Sequence, residues 1–130
     1  IIREPLHGDS VICPVGEEAA MWIASPRTVM RSILHGLDLP AAAYGPNRTV
    51  LLNGITVQVG TMVETLGRVA GADVVERITW ERDEAIVKIV SGWPTKFQLE
   101  RATQLGFPTE TSFEDIITVF LEDDIQRKAG

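Results

Sequence analysis

Between Met21 and Leu37 the hydrophobic period changes once, and the change falls on the dipeptide Ser25-Pro26. Met21-Trp22-Ile23-Ala24 is a continuous apolar run of strand length and reads as a largely buried strand. Ser25 then offers an N-cap hydroxyl, and Pro26 brings the fixed φ suited to a first helical position. A helix is expected from there to about Leu37, with Val29, Met30, Ile33, Leu34 and Leu37 forming one apolar face of the kind that packs on a core. Arg31, Ser32 and His35 lie off that face. A strand feeding straight into a capped amphipathic helix restricts the chain to folds that layer helices on strands.

The flanking segments extend that pattern. Ile1-Ile2-Arg3-Glu4-Pro5-Leu6 reads as the end of a helix stopped by Pro5 and Gly8, so something is expected to precede it; a processed native start is the alternative. Val11-Ile12-Cys13-Pro14-Val15 is of strand type, closed by Gly16 and a Glu17-Glu18 turn. Pro40 and Gly45-Pro46-Asn47 make a loop. Thr49 to Leu52 is expected as a buried strand ending at Asn53-Gly54, followed by an extended connector in which Ile55, Val57 and Val59 alternate. A second amphipathic helix buries Met62, Val63, Leu66, Val69 and Ala70 and ends at Gly71 in an αL cap; it starts either at Gln58 or at Thr61, where Thr61 with Glu64 would form a capping box. Val74 to Trp80 fits no single element, and Ala85 to Val90 is expected as a strand. Phe97 to Leu105 reads as a short helix closed by Gly106. Ser112 with Asp115 caps a last helix that turns Ile116, Ile117, Phe120 and Leu121 inward, and the charged tail from Glu122 to Gly130 is expected to fray. No repeat interrupts the series, so residues 1–130 are expected to form one mixed α/β domain.

Composition narrows the partners. With 45% hydrophobic residues and a net charge of −6, the chain has the makings of a core but no basic stripe for a phosphate backbone, which argues against nucleic acid. No run approaches the ~20 apolar residues of a bilayer-spanning helix, and the start lacks a signal pattern. One cysteine, Cys13, and two histidines, His7 and His35, leave no zinc-type cluster, so a reducing cytoplasm is the expected setting.

Complete catalytic constellations are missing. There is no glycine-rich phosphate loop. Tyr44 to Arg48 resembles a Tyr-x-x-x-Lys pair only superficially, since arginine is a poor proton relay and Gly45-Pro46 breaks the helix that such spacing requires. Cys13, inside an apolar run, reads as a core filler; His7 and His35 read as surface residues. The carboxylates of Glu17-Glu18, Glu81 with Asp83-Glu84, and Glu122 to Asp124 read as solvated charges. Arg27 stands out: in the first turn of its helix the macrodipole disfavours a cation, so an anion is expected nearby, either an acidic side chain or a substrate carboxylate. Trp93, in Ser91-Gly92-Trp93-Pro94, could wall a pocket or pack in the core.

Taken in order, Met21-Trp22-Ile23-Ala24-Ser25-Pro26, Val50-Leu51-Leu52-Asn53-Gly54 and Arg101-Ala102-Thr103-Gln104-Leu105-Gly106-Phe107-Pro108 resemble the C-terminal substrate-binding lobe of extended short-chain dehydrogenases/reductases, the NAD-dependent epimerase/dehydratase family. Ile2-Arg3-Glu4-Pro5-Leu6, Cys13-Pro14-Val15, Ser25-Pro26-Arg27-Thr28 and Gly92-Trp93-Pro94 with Phe97 are similar to its D-erythronate dehydrogenase branch. The resemblance implies a mixed α/β substrate lobe whose Rossmann domain, with NAD and the catalytic Tyr and Lys, lies outside this chain. It implies oxidation of a small sugar acid such as D-erythronate, and a chain inactive alone. Where nucleotide-sugar enzymes commonly carry Arg-Asp before the first of these strands, this chain has Ala19 and Ala20, which removes a partner for a diphosphate. Arg27 becomes a candidate anion ligand, and Trp93, Pro14 and Val15 candidate pocket walls. The alternatives are the lobe of a nucleotide-sugar epimerase or dehydratase, and a non-enzymatic binding or dimerisation module; a homodimer fits either setting.

Overall fold

A computed structural model describes residues 1–125. The chain opens with α1 (Arg3–His7), which ends at Gly8 in the left-handed conformation (φ 93°). Pro5 does not stop this helix. It lies in the first turn, where the missing N–H is no loss, and its ring is buried. The strand β1 (Val11–Cys13) pairs in parallel with β4 (Ile78–Trp80), Val11 opposite Ile78 and Cys13 opposite Trp80. The second sheet is antiparallel: β2 (Ala20–Ile23) runs against β3 (Ile55–Gln58), with Ile23 opposite Ile55. Every residue of β2 is half-buried rather than enclosed: Met21 and Ile23 pack against the core, while Trp22, on the other face, lies against Phe97.

Ser25 caps α2 (Pro26–Asp38) as its sequence demands, its Oγ accepting from the Thr28 N–H at 3.1 Å. The helix is turned opposite to expectation, however. Thr28 and Ser32 are buried, whereas Met30, Ile33, Leu34 and Leu37 are exposed, Leu37 by 76%. A single turn, α3 (Ala41–Tyr44), follows. Thr49 to Leu52, expected as a strand, forms none. Val50, Leu51 and Leu52 make no hydrogen bond among the described residues, and Leu51 is exposed. A strand without a neighbouring strand has no ladder to join.

The core is built around α4 (Val59–Ala70), which sends Val59, Met62, Val63 and Leu66 inward against Cys13, Val57, Ile78 and the inner face of α8 (Phe113–Phe120). α4 begins at Val59, continuous with β3, without a side-chain cap, and Gly71 follows it at φ 103°, ψ 153°, outside the αL region expected of it. Then come α5 (Ala72–Val75), β4 and α6 (Glu84–Val90). The α6 segment was expected as a strand on its β-branched residues. Asp83 decides otherwise, accepting from the N–H groups of Ala85 (2.8 Å) and Ile86 (3.3 Å) and so nucleating a helix. The helix α7 (Glu100–Gln104) is shorter than Phe97 to Leu105, and Gly106 closes it at φ 75°. Ser112 caps α8 through Asp115 N–H at 3.1 Å. Leu121–Ile125 continues α8 as a π-helical turn; the rest of the charged tail lies outside the described residues.

Candidate functional site

The loop from Pro14 to Ala19 joins the two ribbons and is held on both sides. Pro14 and Cys13 carbonyls accept from the N–H groups of Asp83 (2.9 Å) and Glu81 (3.1 Å), prolonging the β1–β4 alignment. On the other side, Ala19 and Glu17 carbonyls accept from Val59 (2.8 Å) and Gly60 (2.9 Å), prolonging the β2–β3 ladder. A second loop, residues 91–97, faces it. Its start is fastened to α6 by the Trp93 N–H to the Val90 carbonyl at 3.0 Å. Its end is fastened to the antiparallel ribbon, where the Thr56 hydroxyl donates to the Thr95 carbonyl and the Phe97 ring lies 5.0 Å from that of Trp22.

Between these loops lies a cleft of about 320 Å³, lined by Val15, Gly16, Glu18, Ala19 and Ala20 on one side and by Val87, Val90, Ser91, Trp93 and Thr95 on the other. An adjoining apolar hollow of about 300 Å³ shares Val15, Val90 and Trp93 and adds Pro14, Met21 and Met62. Trp93, 54% exposed, therefore stands between the two spaces. Pro14, Val15 and Trp93, singled out as pocket walls, are brought together here. Ser91 and Thr95, the hydroxyl-bearing residues of the cleft, had no sequence signal beyond their place beside Trp93.

Arg27 does not line either space. Its Nε and Nη2 grip Asp123 at 2.9 and 2.8 Å, and Nη2 also reaches Glu122 at 2.9 Å. Hydrogen bonds to Asp123, then to Glu122, raise the guanidinium pKa above its ordinary value. The anion demanded by Arg27's position is thus protein-borne, and Glu122 and Asp123 are not simply solvated. His35 is not a surface residue either: its Nε2 is 2.7 Å from the Leu105 carbonyl, and its ring meets Phe107 edge-on at 4.9 Å. His7, exposed, bonds the Arg3 carbonyl through Nδ1 at 2.8 Å. Cys13 is buried and unpaired, with Sγ 3.6 Å from the Val15 carbonyl. Among the described residues no group of His, Cys, Asp and Glu is disposed to hold a metal, and no helix is long and apolar enough to cross a membrane.

Set beside known proteins, the chain matches no family model. It is 42% identical over 123 residues to the D-erythronate dehydrogenase of Cupriavidus necator, a match covering 95% of this chain and 38% of that one. It is 39% identical over 125 residues to the D-erythronate dehydrogenase of Haemophilus influenzae, covering 96% of this chain and 40% of that one. The chain thus spans about two fifths of the length of these curated relatives. The crystal structure of a nucleoside-diphosphate-sugar epimerase from Agrobacterium tumefaciens superposes with a TM-score of 0.92 at 38% identity, over 96% of this chain and 36% of that one. A GalE-like L-threonine dehydrogenase from Cupriavidus necator shares the fold at a TM-score of 0.75 and 15% identity, over 94% of this chain and 39% of that one.

Proposed function

Because the chain belongs to the extended short-chain dehydrogenase/reductase family, where it corresponds to the C-terminal part, we propose that it is the substrate-binding lobe of an NAD-dependent dehydrogenase acting on a small sugar acid such as D-erythronate. The identity to two D-erythronate dehydrogenases over nearly the whole chain carries this reading. The cleft supports it: about 320 Å³ is at the small end of ligand pockets, Trp93, Pro14 and Val15 supply apolar walls, and Ser91 and Thr95 are the hydroxyl-bearing residues of its lining, the Ser91 hydroxyl donating to the Lys88 carbonyl at 3.0 Å and keeping its oxygen as an acceptor. NAD and the proton-transferring residues belong to the part of the relatives that this chain does not span, and Arg27 serves as a tether for the turn at 121–125.

The partner of this lobe is that nucleotide-binding part. The exposed side chains of Met30, Ile33, Leu34 and Leu37 form an apolar helix face larger than scattered surface residues would give, beside a returning segment, Val50 to Leu52, that is apolar and unladdered. Tyr44 bonds the Gly36 carbonyl, and Ile23 pairs with Ile55, so the returning segment runs back along α2 from its C-terminal to its N-terminal end. A helix and a strand-like segment that both lack cover suit docking at the edge of a parallel sheet. A reducing, cytoplasmic setting suits such an enzyme.

The test is a chimera in which residues 1–130 replace the matching part of the Cupriavidus necator enzyme. It should reduce NAD with D-erythronate, and Trp93→Ala should raise KM about tenfold, the scale of losing one large apolar wall. A chimera that folds and ignores D-erythronate overturns the proposal. The likeness to the epimerase at a TM-score of 0.92 favours one second reading, a nucleotide-sugar substrate. Turnover of a UDP-sugar and not the acid would select it.

A further inference from the structure

The cleft beside Trp93 contains one ionisable side chain, and it has the wrong sign for the obvious ligand group. Of its lining side chains only that of Glu18 carries charge, and those of the adjoining hollow carry none; the Ile1 amine at the hollow's edge is paired with Glu4 at 3.7 Å. The cation nearest to Glu18 in bonding terms, Arg82, is already held by Glu84 at 2.6 Å and reaches Glu18 at 3.3 Å. Those bonds, to Glu84 first and to Glu18 after it, raise the Arg82 pKa, and they hold Arg82 between two carboxylates, outside the residues that line the cleft.

Glu18 is directed by its backbone. Residues 16–19 form a turn closed by the Ala19 N–H on the Gly16 carbonyl at 3.1 Å, and the carbonyls on either side of Glu18, at 17 and 19, are bonded to Gly60 and Val59. Within that turn the Glu18 side chain folds back over Gly16. A β-carbon at Gly16 would lie 2.1 Å from one carboxylate oxygen and 2.5 Å from the other, so the glycine is what leaves room for this placement.

Resting on the reading of the chain as a sugar-acid lobe, we infer that Glu18 is a specificity-determining residue that admits the hydroxyl end of the substrate and rejects a phosphorylated one. A sugar acid has a carboxylate at one end and hydroxyls along the rest. A cleft lined by one carboxylate, two hydroxyl-bearing residues and no cationic side chain accepts hydroxyl donors and repels a second anion. The substrate's carboxylate is therefore turned away from this lobe, and a terminal phosphate would be forced against Glu18. The same repulsion acts on a nucleoside diphosphate, which also lacks an arginine at Ala19 and Ala20.

The experiment compares D-erythronate with the same acid carrying a terminal phosphate as substrates of the chimera described above. The ratio of kcat/KM values should favour the unphosphorylated acid, and Glu18→Gln should shift that ratio toward the phosphorylated one by about tenfold, with Glu18→Arg shifting it further. A purely structural role for Glu18 would slow both substrates alike. An unchanged ratio in both variants, or a wild-type preference for the phosphorylated acid, overturns the inference. A wild-type chimera active on neither acid would overturn the underlying reading instead. Nuclear magnetic resonance on the 130-residue chain gives an independent check. Erythritol should shift the amide signals of Ser91 and Thr95, erythritol phosphate should leave them in place, and Glu18→Gln should make both shift them. Equal shifts by both compounds in the unaltered chain would count against Glu18.

Discussion

At Gly54 a methyl group would sit 2.6 Å from the Ile23 carbonyl oxygen and 3.0 Å from the Trp22 ring. Neither neighbour can yield easily, since Ile23 is paired in the antiparallel ribbon and Trp22 packs at a tilt against Phe97. Gly54→Ala should therefore destabilise the chain by ~1–3 kcal/mol, the usual cost of overpacking a fitted contact. Chemical denaturation followed by tryptophan fluorescence measures it, and an unchanged midpoint would mean the ribbon opens without cost. Residues whose role is local were legible in the sequence: Ser25 and Ser112 cap the helices that follow them, and Cys13 is a buried filler. Residues whose role depends on distant partners were not. Arg27 signalled the need for an anion, but its partner Asp123 is 96 positions away, and only the fold chooses among the acidic side chains. His35 reads as a surface residue until Leu105 and Phe107, some 70 positions on, close over it.

At the scale of elements, α6 shows how one side chain overrules a propensity. Ile86, Val87, Ile89 and Val90 favour a strand, and the helix exists because Asp83 satisfies two N–H groups of its first turn. Val87 and Val90 of that helix line the cleft, and Trp93 hangs from its end. Asp83→Ala should cost ~1 kcal/mol and should reach the cleft as well. Hydrogen exchange at residues 85–90 should speed up, and the Trp93 indole signal should broaden or move. Stability and exchange both unchanged would show that packing alone holds α6. The helix α2 teaches the opposite lesson. Its limits and cap were legible, while the direction of its apolar face was not, because periodicity shows that a face exists and leaves open whether this chain or another surface covers it. The unladdered segment at 50–52 is the same case for a strand: its apolar composition points to a buried strand, and among the described residues it joins neither of the two ribbons.

For the whole molecule, the mismatch between pattern and burial becomes an argument about assembly. A lobe folded around α4 buries its own core, yet leaves α2 outward with Leu37 76% and Met30 57% exposed. A charge placed there stays in solvent in the lobe, so Leu37→Asp should cost the 130-residue chain no more than ~1 kcal/mol, the scale of a carboxylate at the negative end of a helix dipole. In the chimera with the Cupriavidus necator enzyme the same substitution should lower NAD-dependent turnover sharply, since a carboxylate would be buried unpaired in the docked face. Isothermal titration of the chain alone should detect no NAD binding in the micromolar range, with or without the substitution. These measurements separate the possible covers of α2. A chain that dimerises by itself and loses the dimer with Leu37→Asp would make a second copy the cover. Micromolar NAD affinity in the isolated chain would place the nucleotide site in this lobe, and the docked architecture would then have no cause to be invoked.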